Sequence, residues 1–177
     1  MAAGRNSLDS AAECATIVSM KHVTGIHHTS FTVADLDRSL AFFRDRLGLE
    51  VMFVREIRAD YFGAIVGLPG CVVKAALLRL PGAEHHIELF QYLTPPTLAA
   101  TQRLRPCDAG SNHLAFLVTD LPQLCRDLKS HDVELLSDPV AITSGPNTGA
   151  SAVYLRDPNG ILIELFQPPM TGSCPPN

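Results

Sequence analysis

Apolar residues return along this chain in two rhythms. At Leu36, Leu40, Phe43 and Leu47 they recur every three or four residues, the spacing of one helical face, with Asp35 placed to cap its start and Gly48 to end it. Leu121, Leu124 and Leu128 repeat that spacing behind Asp120, with Pro122 in the first turn, where a missing N–H costs nothing. Elsewhere apolar and polar positions alternate as in strands: "HHTSFTV" from His27, "VVKAALLRL" from Val72, "HHIELFQY" from His85, "NHLAFLV" from Asn112, "SAVYL" from Ser151 and "ILIELFQ" from Ile161. The last two are joined by the turn residues "RDPNG".

The pattern repeats. "HHTSFTVADLDRSL" from His27 lies over "NHLAFLVTDLPQLC" from Asn112, with valine, aspartate and one histidine of each stretch 85 residues apart. The pentapeptide "IELFQ" occurs at Ile87–Gln91 and again at Ile163–Gln167. The order strand, helix, three strands, twice over, predicts an α+β fold of two tandem βαβββ modules forming a cupped mixed sheet. The expected boundaries are a disordered extension over residues 1–20, a first module over 21–93, a linker over 94–109, a second module over 110–168 and a flexible tail over 169–177.

Alternation assigns faces. If Thr29, Phe31 and Val33 pack beneath the first helix, His28, Ser30 and Thr32 turn away from it. Ile87 and Leu89 face the helix, leaving His86, Glu88, Phe90 and Tyr92 opposite. The second copy repeats this, with Leu114, Phe116 and Val118 inward and His113, Ala115 and Leu117 outward, and with Ile163 and Leu165 inward and Leu162, Glu164 and Phe166 outward. Four polar residues thus emerge at equivalent repeat positions: His28, Glu88, His113 and Glu164. If matching free faces meet, two neutral imidazoles and two carboxylates converge, a donor set suited to one divalent ion of Ni, Co, Zn, Mn or Fe, whose charge the glutamates balance. A lone histidine or glutamate on a sheet face is ordinarily solvated surface, and repetition is what lifts these four above that reading. It does not lift His22, His27, His85 or His131. The rest of the cleft is expected to be mostly apolar, with Ser30, Thr32, His86, Phe90, Tyr92, Leu117, Tyr154 and Phe166 contacting a small substrate.

Composition narrows the partners. A net charge of −4 without a basic run disfavours nucleic acid and anionic membrane, and no window approaches the apolar length of a spanning helix. Five cysteines, an odd number without C-x-x-C spacing, fit free thiols in a reducing compartment, read as the cytoplasm. Neither a nucleophile elbow nor a reactive-cysteine setting is present, and "GLPG" from Gly67 is a turn rather than a phosphate loop.

Together "HHTSFTVADLDRSLAFFRDRLGLEV", "HHIELFQY", "NHLAFLVTDL" and "YLRDPNGILIELFQP" resemble the vicinal oxygen chelate superfamily, which contains glyoxalase I, methylmalonyl-CoA epimerase, bleomycin-binding proteins and type I extradiol dioxygenases. The resemblance spans about Val23–Pro168. It implies paired modules around a metal held at His28, Glu88, His113 and Glu164. It also implies a metal-dependent lyase or isomerase of the glyoxalase/epimerase type, with Glu88 and Glu164 as catalytic groups and the metal making the α-proton of a bound carbonyl acidic. The dioxygenase branch needs only His28, His113 and Glu164, with Fe(II) and a catechol-like substrate, so Glu88 points to proton transfer. Non-catalytic resistance proteins of the family often lack the ligands found here. Thr32 stands where glyoxalase I has its glutathione-binding arginine. The expected partners are a small oxygenated carbonyl compound and a second copy of the chain, as a homodimer, with the site closed either within a chain or between two.

Overall fold

The structure, a computed structural model, describes residues 22–98 and 103–169. The expected N-terminal extension and nearly all of the tail, with Cys14 and Cys174, lie outside the described residues. The chain runs β1 (His28–Thr32), α1 (Leu36–Asp45), β2 (Glu50–Ile57), α2 (Asp60–Val66), β3 (Val72–Arg79), β4 (His86–Thr94), β5 (His113–Leu117), α3 (Leu121–Lys129), β6 (Val140–Ala141), β7 (Ser151–Arg156) and β8 (Leu162–Gln167). They form two four-stranded sheets of one design, β1-β4-β3-β2 and β5-β8-β7-β6. In each, the first strand lies parallel to the last and all other pairs are antiparallel.

Local chemistry sets the helix ends. The Asp35 carboxylate accepts from the Arg38 N–H and that of Asp120 from the Gln123 N–H, both at 3.0 Å. Gly48 takes the left-handed backbone at φ 76° that closes the turn after α1. The repeated pentapeptide explains itself here. Its Ile and Leu are buried beneath the helices, and its Gln reaches the helix start: Gln91 Oε1 accepts from Leu36 N at 3.0 Å and Gln167 Oε1 from Leu121 N at 2.7 Å. A backbone N–H with no partner inside the helix is thus satisfied in both copies from the same strand position.

One continuous core joins the modules. Phe31, Val33, Leu36, Phe43 and Leu89 of the first pack in the same cluster as Phe116, Leu121, Leu128, Ile163 and Leu165 of the second. Each such side chain contributes about 1.5–3 kcal/mol when fully buried. The turn between β7 and β8 pins the seam. Asn159 Oδ1 accepts from Ala34 N at 2.9 Å and its Nδ2 donates to Ser39 Oγ at 3.0 Å, while the buried Asp157 carboxylate accepts from the backbone N–H groups of Asn159 and Ile161. Burial pushes the Asp157 pKa up, against the pull of those hydrogen bonds.

The short helix α2 was not legible from the strand-helix-strand pattern. It sets Phe62 on a second, smaller cluster with Ile57, Cys71, Val73 and Ala75. Among the described residues no helix is long and apolar enough to cross a membrane, and Cys71, Cys107 and Cys125 are free thiols.

Candidate metal centre

Parallel pairing brings each histidine beside its glutamate. β1 and β4 are in register at His28↔His86 and Ser30↔Glu88, and β5 and β8 at His113↔Leu162 and Ala115↔Glu164. Histidine and glutamate share a face on neighbouring strands, two residues apart diagonally, within reach of each other's side chains. His28 Nε2 stands 3.3 Å from Glu88 Oε2, and His113 Nε2 stands 3.1 Å from Glu164 Oε2. The glutamates are the more enclosed partners, at 18% and 17% side-chain exposure against 38% and 43% for the histidines.

These distances bear on a metal directly. Two ligand atoms about 2.1 Å from one ion, at angles between square and tetrahedral, stand about 3.0–3.4 Å apart. Each pair therefore already has the spacing of adjacent ligands, and the mixed nitrogen and oxygen donors suit a first-row divalent ion. Within one chain, however, the pairs stay apart. Among the described residues no group of three or more histidine, cysteine, aspartate or glutamate side chains gathers at one point. The shared core explains this: the helix-facing sides of both sheets are packed into it, so the free faces look outward.

The substrate contacts expected from alternation divide in the same way. Phe90 and Tyr92 are half-buried beneath Phe62, with ring centroids 5.3 and 6.5 Å from it, and burial followed by the nearby Cys71 raises the Tyr92 pKa. Ser30 and Thr32 are exposed on β1. On the second sheet Tyr154 pairs in register with Glu164, and its hydroxyl lies 3.2 Å from His113 Nε2. Burial, then the charge and hydrogen bond of Glu164, hold that phenol above its ordinary pKa, so it stays a neutral donor. Tyr154 also lines an apolar hollow of about 290 Å³ with Leu136, Val140, Ile142 and Ala152, which alternation alone did not reveal. Leu117 is 75% exposed and Phe166 half-buried. Leu162, expected on the open face, is instead buried at 4%, lining a crevice with Leu104 and Asn112.

One histidine departs from the expected pattern. His27, which strand alternation would turn to the face opposite His28, has Nδ1 at 2.8 Å from Nδ1 of His28 and its ring against that of His86, which lies in register opposite His28 as alternation predicts. Residue 27 precedes β1, so strand alternation does not govern its side chain.

Residues 25–165 match the family model of the Glyoxalase/Bleomycin resistance protein/Dioxygenase superfamily. A 2-epi-5-epi-valiolone epimerase of Actinomyces sp is 33% identical over 148 residues, covering 81% of this chain and 79% of that protein. The mitochondrial methylmalonyl-CoA epimerase of Mus musculus is 26% identical, covering 80% and 72%. A crystal structure of a glyoxalase family protein from Bacillus cereus superposes with a TM-score of 0.75 at 26% identity, covering 85% of this chain and 98% of that one.

Proposed function

Because this chain belongs to the Glyoxalase/Bleomycin resistance protein/Dioxygenase superfamily, and its relatives there include epimerases and a probable lyase, we propose that it is a divalent-metal-dependent epimerase or lyase. Its reaction moves a proton next to a carbonyl, and its site is completed between two copies of the chain. The observation that carries this reading is the pair of half-sites. Each presents an imidazole nitrogen and a carboxylate oxygen at ligand spacing, and each lacks the other half within its own chain. In a two-fold dimer, His28 and Glu88 of one copy meet His113 and Glu164 of the other, and both sites form at once.

Bound there, the ion would polarise a carbonyl oxygen and make the adjacent C–H acidic. The residues of the chain supply the rest. Glu88 and Glu164 would take up and return the proton, each a largely enclosed carboxylate beside its histidine and so placed to act as a base toward a bound carbonyl compound. The neutral Tyr154 hydroxyl offers a hydrogen bond to a substrate oxygen. The hollow beside it receives an apolar or alicyclic portion, and the Phe62, Phe90 and Tyr92 cluster forms a wall that excludes water. The epimerase names of the relatives agree with this chemistry.

Complementation tests it. His28→Ala and His113→Ala proteins, each alone, should lose stoichiometric metal by elemental analysis. Mixed and allowed to exchange subunits, they should recover about a quarter of the wild-type sites, since half the dimers are mixed and each has one intact site. Metal retained by both single variants would reject the ligand set, and no recovery in the mixture would reject the shared site.

A further inference from the structure

A histidine that gives Nε2 to a metal must carry its hydrogen on Nδ1, and a partner for that hydrogen fixes both the tautomer and the tilt of the ring. His28 has such a partner. Its Nε2 faces Glu88 at 3.3 Å, and its Nδ1 lies 2.8 Å from Nδ1 of His27. We infer that His27 is a positioning residue: its Nδ1 lone pair accepts the Nδ1–H of His28 and holds Nε2 of His28 toward the ion. This rests on the reading of His28 as a metal ligand given above.

The surroundings of His27 support the assignment. Its ring and that of His28 have centroids 5.1 Å apart and planes at 85°, so the rings do not stack and their close approach, 2.8 Å, is nitrogen to nitrogen. On its other side it lies against His86, at 6.3 Å and 26° between planes. His86 in turn is set by the register of β4, directly opposite His28. Three imidazoles therefore form a short chain, His86 to His27 to His28, of which only the last faces Glu88.

The second module sharpens the inference. The residue before His113 is Asn112, and no side-chain hydrogen bond joins it to His113 among the described residues. There Nε2 of His113 is shared between Glu164 at 3.1 Å and the Tyr154 hydroxyl at 3.2 Å. The first half-site is thus braced from behind its ligand nitrogen, and the second from in front of it.

The test uses full-length protein with His27→Phe, which keeps a ring against His86 but has no nitrogen, and His27→Asn, whose amide can place an acceptor where Nδ1 stood. Zinc affinity is measured by competition with a chromophoric chelator, and the ring nitrogens of His28 are followed by long-range 1H–15N spectra of the zinc-loaded wild type. His27→Phe should bind zinc about 10–100-fold more weakly, and His27→Asn should recover most of the loss. The wild-type spectrum should show His28 protonated on Nδ1 with its hydrogen shared. Equal affinity of wild type and His27→Phe, or equal losses in both variants, would overturn the positioning role while leaving the metal site standing. A wild type without saturable zinc binding would remove the metal site and this role together. If His27→Phe melts well below wild type without metal, the His28 spectrum decides alone, and protonation on Nε2 overturns the assignment.

Discussion

In the first module Glu88 lies opposite Leu77 in the sheet register, and in the second Glu164 lies opposite Tyr154. The same pentapeptide therefore sits in two settings. Glu88 has an aliphatic neighbour, an aromatic wall roofed by α2, and a histidine braced by His27. Glu164 has a phenol hydroxyl, an open apolar hollow and no covering helix. The outer strand of each sheet differs as well: β2 has eight residues and β6 only two. The repeat keeps the histidine–glutamate pair in both modules, and the modules differ in what surrounds it. In the proposed dimer, one side of the shared cleft would be a closed aromatic wall and the other a polar-edged pocket, an asymmetry that would favour one orientation of an asymmetric substrate.

The carboxylates should break this symmetry most strongly. Glu88→Gln keeps an oxygen at the site and removes a base, so turnover should fall by about 10²–10⁴ with metal retained. The measurement is anaerobic incorporation of solvent deuterium at the α-carbon of carbonyl substrates, with Glu164→Gln alongside to show whether the two glutamates share the proton equally. A mild effect at Glu88, with oxygen uptake on a catechol-like substrate, would instead mean the three-ligand dioxygenase branch.

Next comes the wall. Phe62→Ala opens the small cluster under α2 and should cost about 3 kcal/mol of stability in urea unfolding. Hydrogen exchange should rise in β3 and β4 and stay unchanged in β7 and β8, because Phe62 packs on Phe90 and Tyr92 of the first sheet. Exchange rising equally in both sheets would show that the cluster supports the whole chain and not one module.

The smallest effects belong to the parts the modules share. Asp35→Ala and Asp120→Ala each remove a 3.0 Å cap and should each cost about 1 kcal/mol by thermal melting. A clearly larger loss at Asp35 would place the difference in the seam, where Asn159 bonds the adjoining Ala34 N–H.

Much of this protein was written in short-range pattern. The spacing of Leu36, Leu40 and Phe43, the caps Asp35 and Asp120, and alternation along β1, β4, β5 and β8 are set by backbone geometry within a few residues. They put His28, Glu88, His113 and Glu164 on the free faces of their strands, and the long-range parallel pairing of β1 with β4 and of β5 with β8 then set each histidine beside its glutamate. Alternation stops at strand ends, which is why His27, one residue before β1, escaped it. It cannot see α2, whose seven residues have meaning only once Phe62 finds the rings of Phe90 and Tyr92. It also cannot say which way two modules face. A helix-covered sheet buries the same apolar face whether its neighbour is the other module's helix side or its open side, so periodicity is identical in both arrangements. Tertiary structure made that choice through the core shared by Phe43, Leu89, Leu121 and Leu165 and through the Asn159 bracket, which pack the helix-facing sides of both sheets together and leave the His28–Glu88 and His113–Glu164 pairs separate within the chain.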